Sequence, residues 1–181
     1  MKINALTLKL GFNALGFQTA WWLSVLGLVM DAPLVGPLAM TLYLAIDHFS
    51  FTKRQAELLL IFTAMLLGTV VDSLFALTGL ISYSGVYPLF PHLAPLWITA
   101  MWGGFAATLN HSLAWLRGRP LLGFIMGAVF GPLSYMAGEK FDALQFNLGL
   151  APTVFILGAF WGIAIPLLTH FYTVLERRYD S

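Results

Sequence analysis

The 181-residue sequence contains no cysteine. That excludes disulfides, thiolate metal sites and a cysteine nucleophile, and it leaves the redox compartment open. Charge is scarce too: Asp, Glu, Lys and Arg make up 9% of the chain, where a soluble domain carries roughly 25%. The net charge of +1 recruits no polyanion, and no basic stripe interleaved with aromatics is present, so nucleic acid is not an expected partner. There is no G-x-S-x-G elbow, no Gly-Lys-Ser/Thr phosphate loop and no H-E-x-x-H. Hydrolase, nucleotide-driven and zincin chemistries therefore have no positive support. Low-complexity tracts and long polar linkers are also missing, which predicts one domain over residues 1–181.

What is present is apolar. Hydrophobic residues make up 59% of the sequence and mean hydropathy is +0.83. A membrane-crossing helix needs about 20 mostly apolar residues, and backbone in lipid must satisfy its own hydrogen bonds. The runs are too long and too continuous for the alternating strands of a barrel. The sequence predicts an all-α, polytopic bundle of six transmembrane helices, at about 9–29, 33–51, 55–81, 95–116, 120–139 and 152–175. Asp31 with Pro33 suits the start of the second helix, Pro95 the fourth and Pro120 the fifth. Lys2 and Lys9 before an apolar run resemble a signal peptide. The run continues through Trp21 and Trp22 to Met30 without a small-x-small cleavage site, which predicts an uncleaved first span.

Basic residues divide unevenly between the helix ends. Lys2, Lys9, Lys53, Arg54, Arg117, Arg119, Arg177 and Arg178 fall on one side and Lys140 alone on the other. Such asymmetry predicts both termini in the cytoplasm. Association in lipid relies on close backbone approach. Small-residue stripes suit that role at Gly16, Ala20 and Gly27, at Gly103 and Ala107, and at Gly123, Gly127, Gly131 and Gly138. Pro132 and Pro166 fall inside helices and are expected to bend them.

Against this background the polar residues stand out. His48, His111 and His170 lie five to seven residues before Lys53, Arg117 and Arg177, roughly 7–10 Å inside the cytoplasmic charges. Asp47, Glu57, Asn13 and Asn110 share that depth. Ionisable groups in membrane helices face protein or water rather than lipid. One reading is a cytoplasm-facing crevice in which His111, with Asp47 or Glu57, acts as an acid–base pair, and Asn110, Asn13, His48 and His170 contact a ligand. The plainer reading is snorkelling or inter-helix bonding. Three histidines and a carboxylate could also hold a divalent metal, but no two histidines share a helix at H-x-x-x-H spacing, so no metal is expected; the sequence leaves the cofactor unknown. On a helix Asp47 and His48 point about 100° apart, which argues against a shared site.

Trp97, Met101, Gly104, Thr108, His111 and Trp115 fall on one face of the predicted fourth helix, where Trp97 and Trp115 would grip an apolar ligand or serve as packing. Asp72 lies in the outer half of the membrane without a cation at its level. Tyr135, Ser134 and Thr99 are its candidate partners, in a structural hydrogen bond or a proton or cation site. Glu139 and Lys140 are placed in the headgroup zone.

The stretches "APLWITAMWGGFAATLNHSLAWL" (94–116) and "GAVFGPLSYMAGEKF" (127–141) resemble a family of small bacterial inner-membrane proteins of unknown function. The residues carrying the likeness are Pro95-Leu96-Trp97, Phe105-Ala106, His111-Ser112-Leu113, Trp115-Leu116, Gly131-Pro132-Leu133, Ala137-Gly138 and Asp72-Ser73. The resemblance implies a multi-pass inner-membrane protein with no established activity, and such proteins being encoded near fatty-acyl-modifying enzymes is a hint towards lipid chemistry. In architecture the chain is also similar to the substrate-binding subunits of energy-coupling-factor vitamin transporters, small six-helix proteins with Gly-rich helices.

Three functions are therefore expected to compete. The first is binding or modification of a lipid-like or other apolar molecule at the cytoplasm-facing polar site, with membrane lipids as partners. The second is binding or transport of a small solute contacting Asp72. The third is an accessory role in which the polar band only holds helices together.

Overall fold

A computed structural model describes residues 4–52 and 54–180. Lys2 and Lys53, two of the basic residues counted above, lie outside the described residues. Six α-helices dominate: α1 (Ala5–Val29), α2 (Val35–Asp47), α3 (Gln55–Leu77), α4 (Leu96–Asn110), α5 (Pro120–Lys140) and α6 (Leu150–Tyr179). Four of them, α1, α3, α5 and α6, are long and apolar enough to cross a membrane, and no more than a third of the most apolar stretch of each is buried. Their outward faces carry large apolar side chains, among them Leu15 at 70% exposure, Leu66 at 67% and Phe155 at 77%. Water would penalise such surfaces, at about 25 cal/mol per Å²; hydrocarbon would not.

Asp31 does not begin α2. It sits at φ 53° just past α1, in the left-handed conformation that closes a helix, and Ala32 N donates to Gly27 O at 2.7 Å. The second helix starts at Val35 without a side-chain cap and continues past Asp47 as one π-helical stretch, His48–Thr52. The third helix stops at Leu77, four residues short of the predicted end. Gly79, at φ 71°, turns the chain into strand β1 (Ile81–Tyr83). This pairs antiparallel with β2 (Leu144–Phe146), Ile81 opposite Phe146 and Tyr83 opposite Leu144. The two strands had no counterpart in the sequence reading. In the last turn of α5, the Glu139 side chain accepts from Phe146 N at 3.0 Å, which ties the helix to this sheet.

The fourth helix is central. It packs against α1, α2, α3 and α6, and most of its residues are buried. Small residues allow the close approaches. Gly103 faces Met65 of α3, and Gly104 faces Met40 and Phe17. Between α5 and α6 the fit is reciprocal: Pro132 lies against Gly158, and Pro166 lies against Gly123. A proline ring fills the notch left by a missing side chain, which offsets part of the cost of its lost amide bond. The indole of Trp161 on α6 covers Gly131 and stacks on Trp102 of α4, with centroids 4.5 Å apart and planes 15° apart.

Both ends of the described chain lie at one end of the bundle. Lys9 Nζ donates to Phe51 O at 3.1 Å, and Arg54 Nη1 pairs with Glu176 Oε1 at 2.8 Å. We call this the terminal end. The sheet and the segment joining it to α4 form the opposite, or sheet, end.

Candidate functional site

The fourth helix does not run through to Leu116 as its apolar pattern predicted. It ends at Asn110, and His111 turns away at φ −127°, ψ −92°. A short 3₁₀ turn, Ala114–Leu116, follows. The reason lies in the polar run Asn110-His111-Ser112 and in what caps the carbonyls it exposes. A helix leaves its last four carbonyls without internal partners. Here Thr108 O accepts from His111 N at 3.1 Å and Leu113 N at 2.8 Å. Arg117 Nη2 donates to Asn110 O at 3.1 Å, a cation at the negative end of a helix. Asn13 Nδ2 lies 3.5 Å from Ala107 O. Polar side chains thus close a helix that terminates inside the protein.

The break brings four predicted residues together. His111 Nε2 lies 2.7 Å from Glu57 Oε1 and 3.3 Å from Asp47 Oδ2. Asn110 Nδ2 lies 3.5 Å from Glu57 Oε1. Asp47 and Glu57 are 2% and 1% exposed. Asn13 binds this group to its surroundings. Its Nδ2 donates to Tyr43 Oη at 2.9 Å and to Asp47 Oδ1 at 3.3 Å. Its Oδ1 accepts from Ser112 Oγ at 2.7 Å and Ser112 N at 3.2 Å. Two neighbouring atoms have no hydrogen-bond partner among the described residues, Glu57 Oε2 and Asn110 Oδ1.

The other two inner histidines do not join. His170 is exposed. His48 is half-buried and turns its ring edge-on to Phe49, 5.2 Å between centroids. Because α4 stops early, His111 and Trp115 also leave the face that carries Trp97 and Met101. Trp115 is 45% exposed, and only Trp97 of the two predicted tryptophans meets the cavity described below. Sequence reasoning missed Tyr43, which receives Asn13, and the clamp at the terminal end, where Glu176 accepts from Arg54 and Arg117 and the Arg117 guanidinium lies 4.6 Å over the Tyr172 ring.

Asp72 belongs to a second, separate cluster near the sheet end. Its Oδ1 accepts from Tyr83 Oη at 2.6 Å and Tyr135 Oη at 2.7 Å, and its Oδ2 accepts from Trp102 Nε1 at 2.7 Å. Tyr135 is the predicted partner; Ser134 instead donates to Gly131 O, and Thr99 pairs with Thr69. Tyr83 was unpredictable without the strand that carries it. Burial first, and then the Asp72 carboxyl, hold the Tyr83 phenol well above its usual pKa range, so it remains a proton donor.

A cavity of about 540 Å³ runs along the face of α4 turned away from Asp47 and Glu57. It lies between α1 and α5, with α6 behind it. Trp21, Trp97, Met101, Phe105, Met126 and Trp161 line much of it, and Tyr135 and Ser134 are among its few polar neighbours. None of Asn13, Asp47, Glu57, Asn110 and His111 lines it.

Residues 10–167 match the model of a family described as a protein of unknown function, DUF2878. The chain belongs to the DUF2878 family. No curated protein and no solved structure matches it. What a DUF2878 chain does must therefore be read from its own residues.

Proposed function

We propose that this chain is an integral membrane protein that holds a lipid-like or other apolar molecule in the cavity along α4. The single observation supporting this is the cavity's size and lining. Ligand sites occupy about 300–1,000 Å³ and are mostly apolar with a few polar groups; this one has about 540 Å³ and a wall of aromatic and methionine side chains. On this reading all six helices cross a bacterial inner membrane as one domain, α2 and α4 being the short ones, with both termini in the cytoplasm. The uneven basic residues support that direction. The cluster at His111, Glu57 and Asp47 then faces the cytoplasmic side. Being on the opposite face of α4, it acts on a cavity-bound chain only where a polar headgroup reaches past residues 111–116. The rival solute reading loses ground because both oxygens of Asp72 are already taken by protein donors.

Replacing Ala137, which lines the cavity, by Phe tests this. The wild-type chain purified in mild detergent should retain a defined lipid or apolar molecule by native mass spectrometry, and Ala137→Phe should retain roughly tenfold less. Equal retention by both chains, with the composition of the bulk membrane, would sink the reading.

A further inference from the structure

We propose that Asp47, Glu57 and His111, joined by the Asn110 side-chain carbonyl, bind one divalent transition-metal cation. The ligand atoms come from the end of α2, the start of α3 and the broken end of α4, and those of Asp47, Glu57 and His111 all lie within 4.8 Å of one another. Bonds from carboxylate oxygen and imidazole nitrogen to such a cation are about 2.0–2.2 Å. Atoms on opposite sides of it therefore stand a little over 4 Å apart, so small rotamer changes bring these three onto a common centre.

The second observation is independent of that spacing. Glu57 Oε2 and Asn110 Oδ1 are buried and meet no donor among the described residues; Glu57 is 1% and Asn110 7% exposed. An unsatisfied buried polar atom costs about 1–3 kcal/mol, and more when charged. Both belong to side chains already at the cluster. A half-turn of the Asn110 amide puts its carbonyl oxygen where the nitrogen now stands, 3.5 Å from Glu57 Oε1; the two orientations have nearly the same shape. The site then offers three oxygen donors and one nitrogen. A cation satisfies all of them at once, where a single imidazole proton between two carboxylates does not.

The donor set also selects among cations. Imidazole favours zinc, iron, copper and nickel over magnesium or calcium, which prefer all-oxygen shells, while the three oxygen ligands also suit manganese. The C-terminal end of α4 contributes a fixed negative partial charge, and broken helix ends of this kind serve as cation sites in membrane proteins. H-x-x-x-H spacing is absent because the ligands come from three separate segments. The inference does not rest on the cavity, which lies across α4 and shares none of these side chains.

Full-length chain in detergent, stripped with chelator, should be dialysed separately against Zn²⁺ and Mn²⁺ and the bound metal counted by elemental analysis. One equivalent of at least one metal is expected. Glu57→Gln should weaken it at least ~100-fold, while Asp31→Asn, an exposed carboxylate at the sheet end, should leave it unchanged. Metal should also raise the unfolding midpoint of the wild-type chain by roughly 5 °C at saturating concentration, a readout that needs no variant to fold. Should Glu57→Gln fail to fold, Asn110→Ala replaces it, with an expected loss of ~10-fold or more. A wild-type chain that takes up neither metal overturns the proposal. So does a metal held equally well by the wild type and the folded variant.

Discussion

Glu57 and Asp72 stand on the same helix, fifteen residues or about 22 Å apart, and both are buried. Their surroundings are opposite. Asp72 is closed: three donors from β1, α4 and α5 converge on it and use both its oxygens. Glu57 is open: Oε1 meets His111 and Asn110, and Oε2 has no hydrogen-bond partner among the described residues. A buried carboxylate whose two oxygens both accept from protein donors is a cross-link. One with a spare oxygen beside an imidazole and an amide carries unused chemistry. The difference sets two unlike carboxylate environments on a single helix of a chain whose hydropathy looks uniform, and the proposed metal site uses only the open one.

The sharpest way to break this comparison is Asp72→Leu. It strands three buried donors, each worth about 1–3 kcal/mol, so unfolding in detergent should show a loss of about 3 kcal/mol or more. Tyr135→Phe removes one donor and leaves the others; about 1.5 kcal/mol should be lost in the same assay. Glu57→Gln should cost least, about 1 kcal/mol, because the amide keeps the side chain's shape, its oxygen can still accept from His111, and Asp47 remains beside His111 as the charged partner. Matching losses for Glu57→Gln and Asp72→Leu would show the two carboxylates to be alike and remove the distinction.

The helical class, the six segments and the starts of α3 and α5 were legible because apolar runs of that length and proline at a helix start carry direct physical meaning. The end of α4 was not. The stretch from Ala106 to Leu116 is apolar on both sides of Asn110-His111-Ser112, and that polar run ends the helix only because Asn13, Arg117 and Glu57 are there to receive it. The strands were hidden for a related reason. Three residues give no periodicity, and their pairing joins positions more than sixty residues apart. Depth counting put Asn13, Asp47, Glu57, Asn110 and His111 at one level, and they do meet. It put His48 and His170 there as well, and they do not, because depth says nothing of which way a side chain points around its helix. Asp72 was conspicuous as a lone acid, yet two of its three donors, Tyr83 and Trp102, gave no sign in one dimension.

The length of α6 carries a consequence of its own. Thirty residues make about 45 Å of helix, while the hydrocarbon slab is about 30 Å thick. Even leaning at about 40°, the upper end of what such helices show, α6 would overhang by about a turn on the proposed crossing. With the surplus at its C-terminal end, Glu176 and its grip on Arg54 and Arg117 would lie among lipid phosphates. Phosphate and Glu176 are then rivals for the same two guanidiniums, and the anionic lipid content of the leaflet would set how firmly the last helix is fastened to the rest.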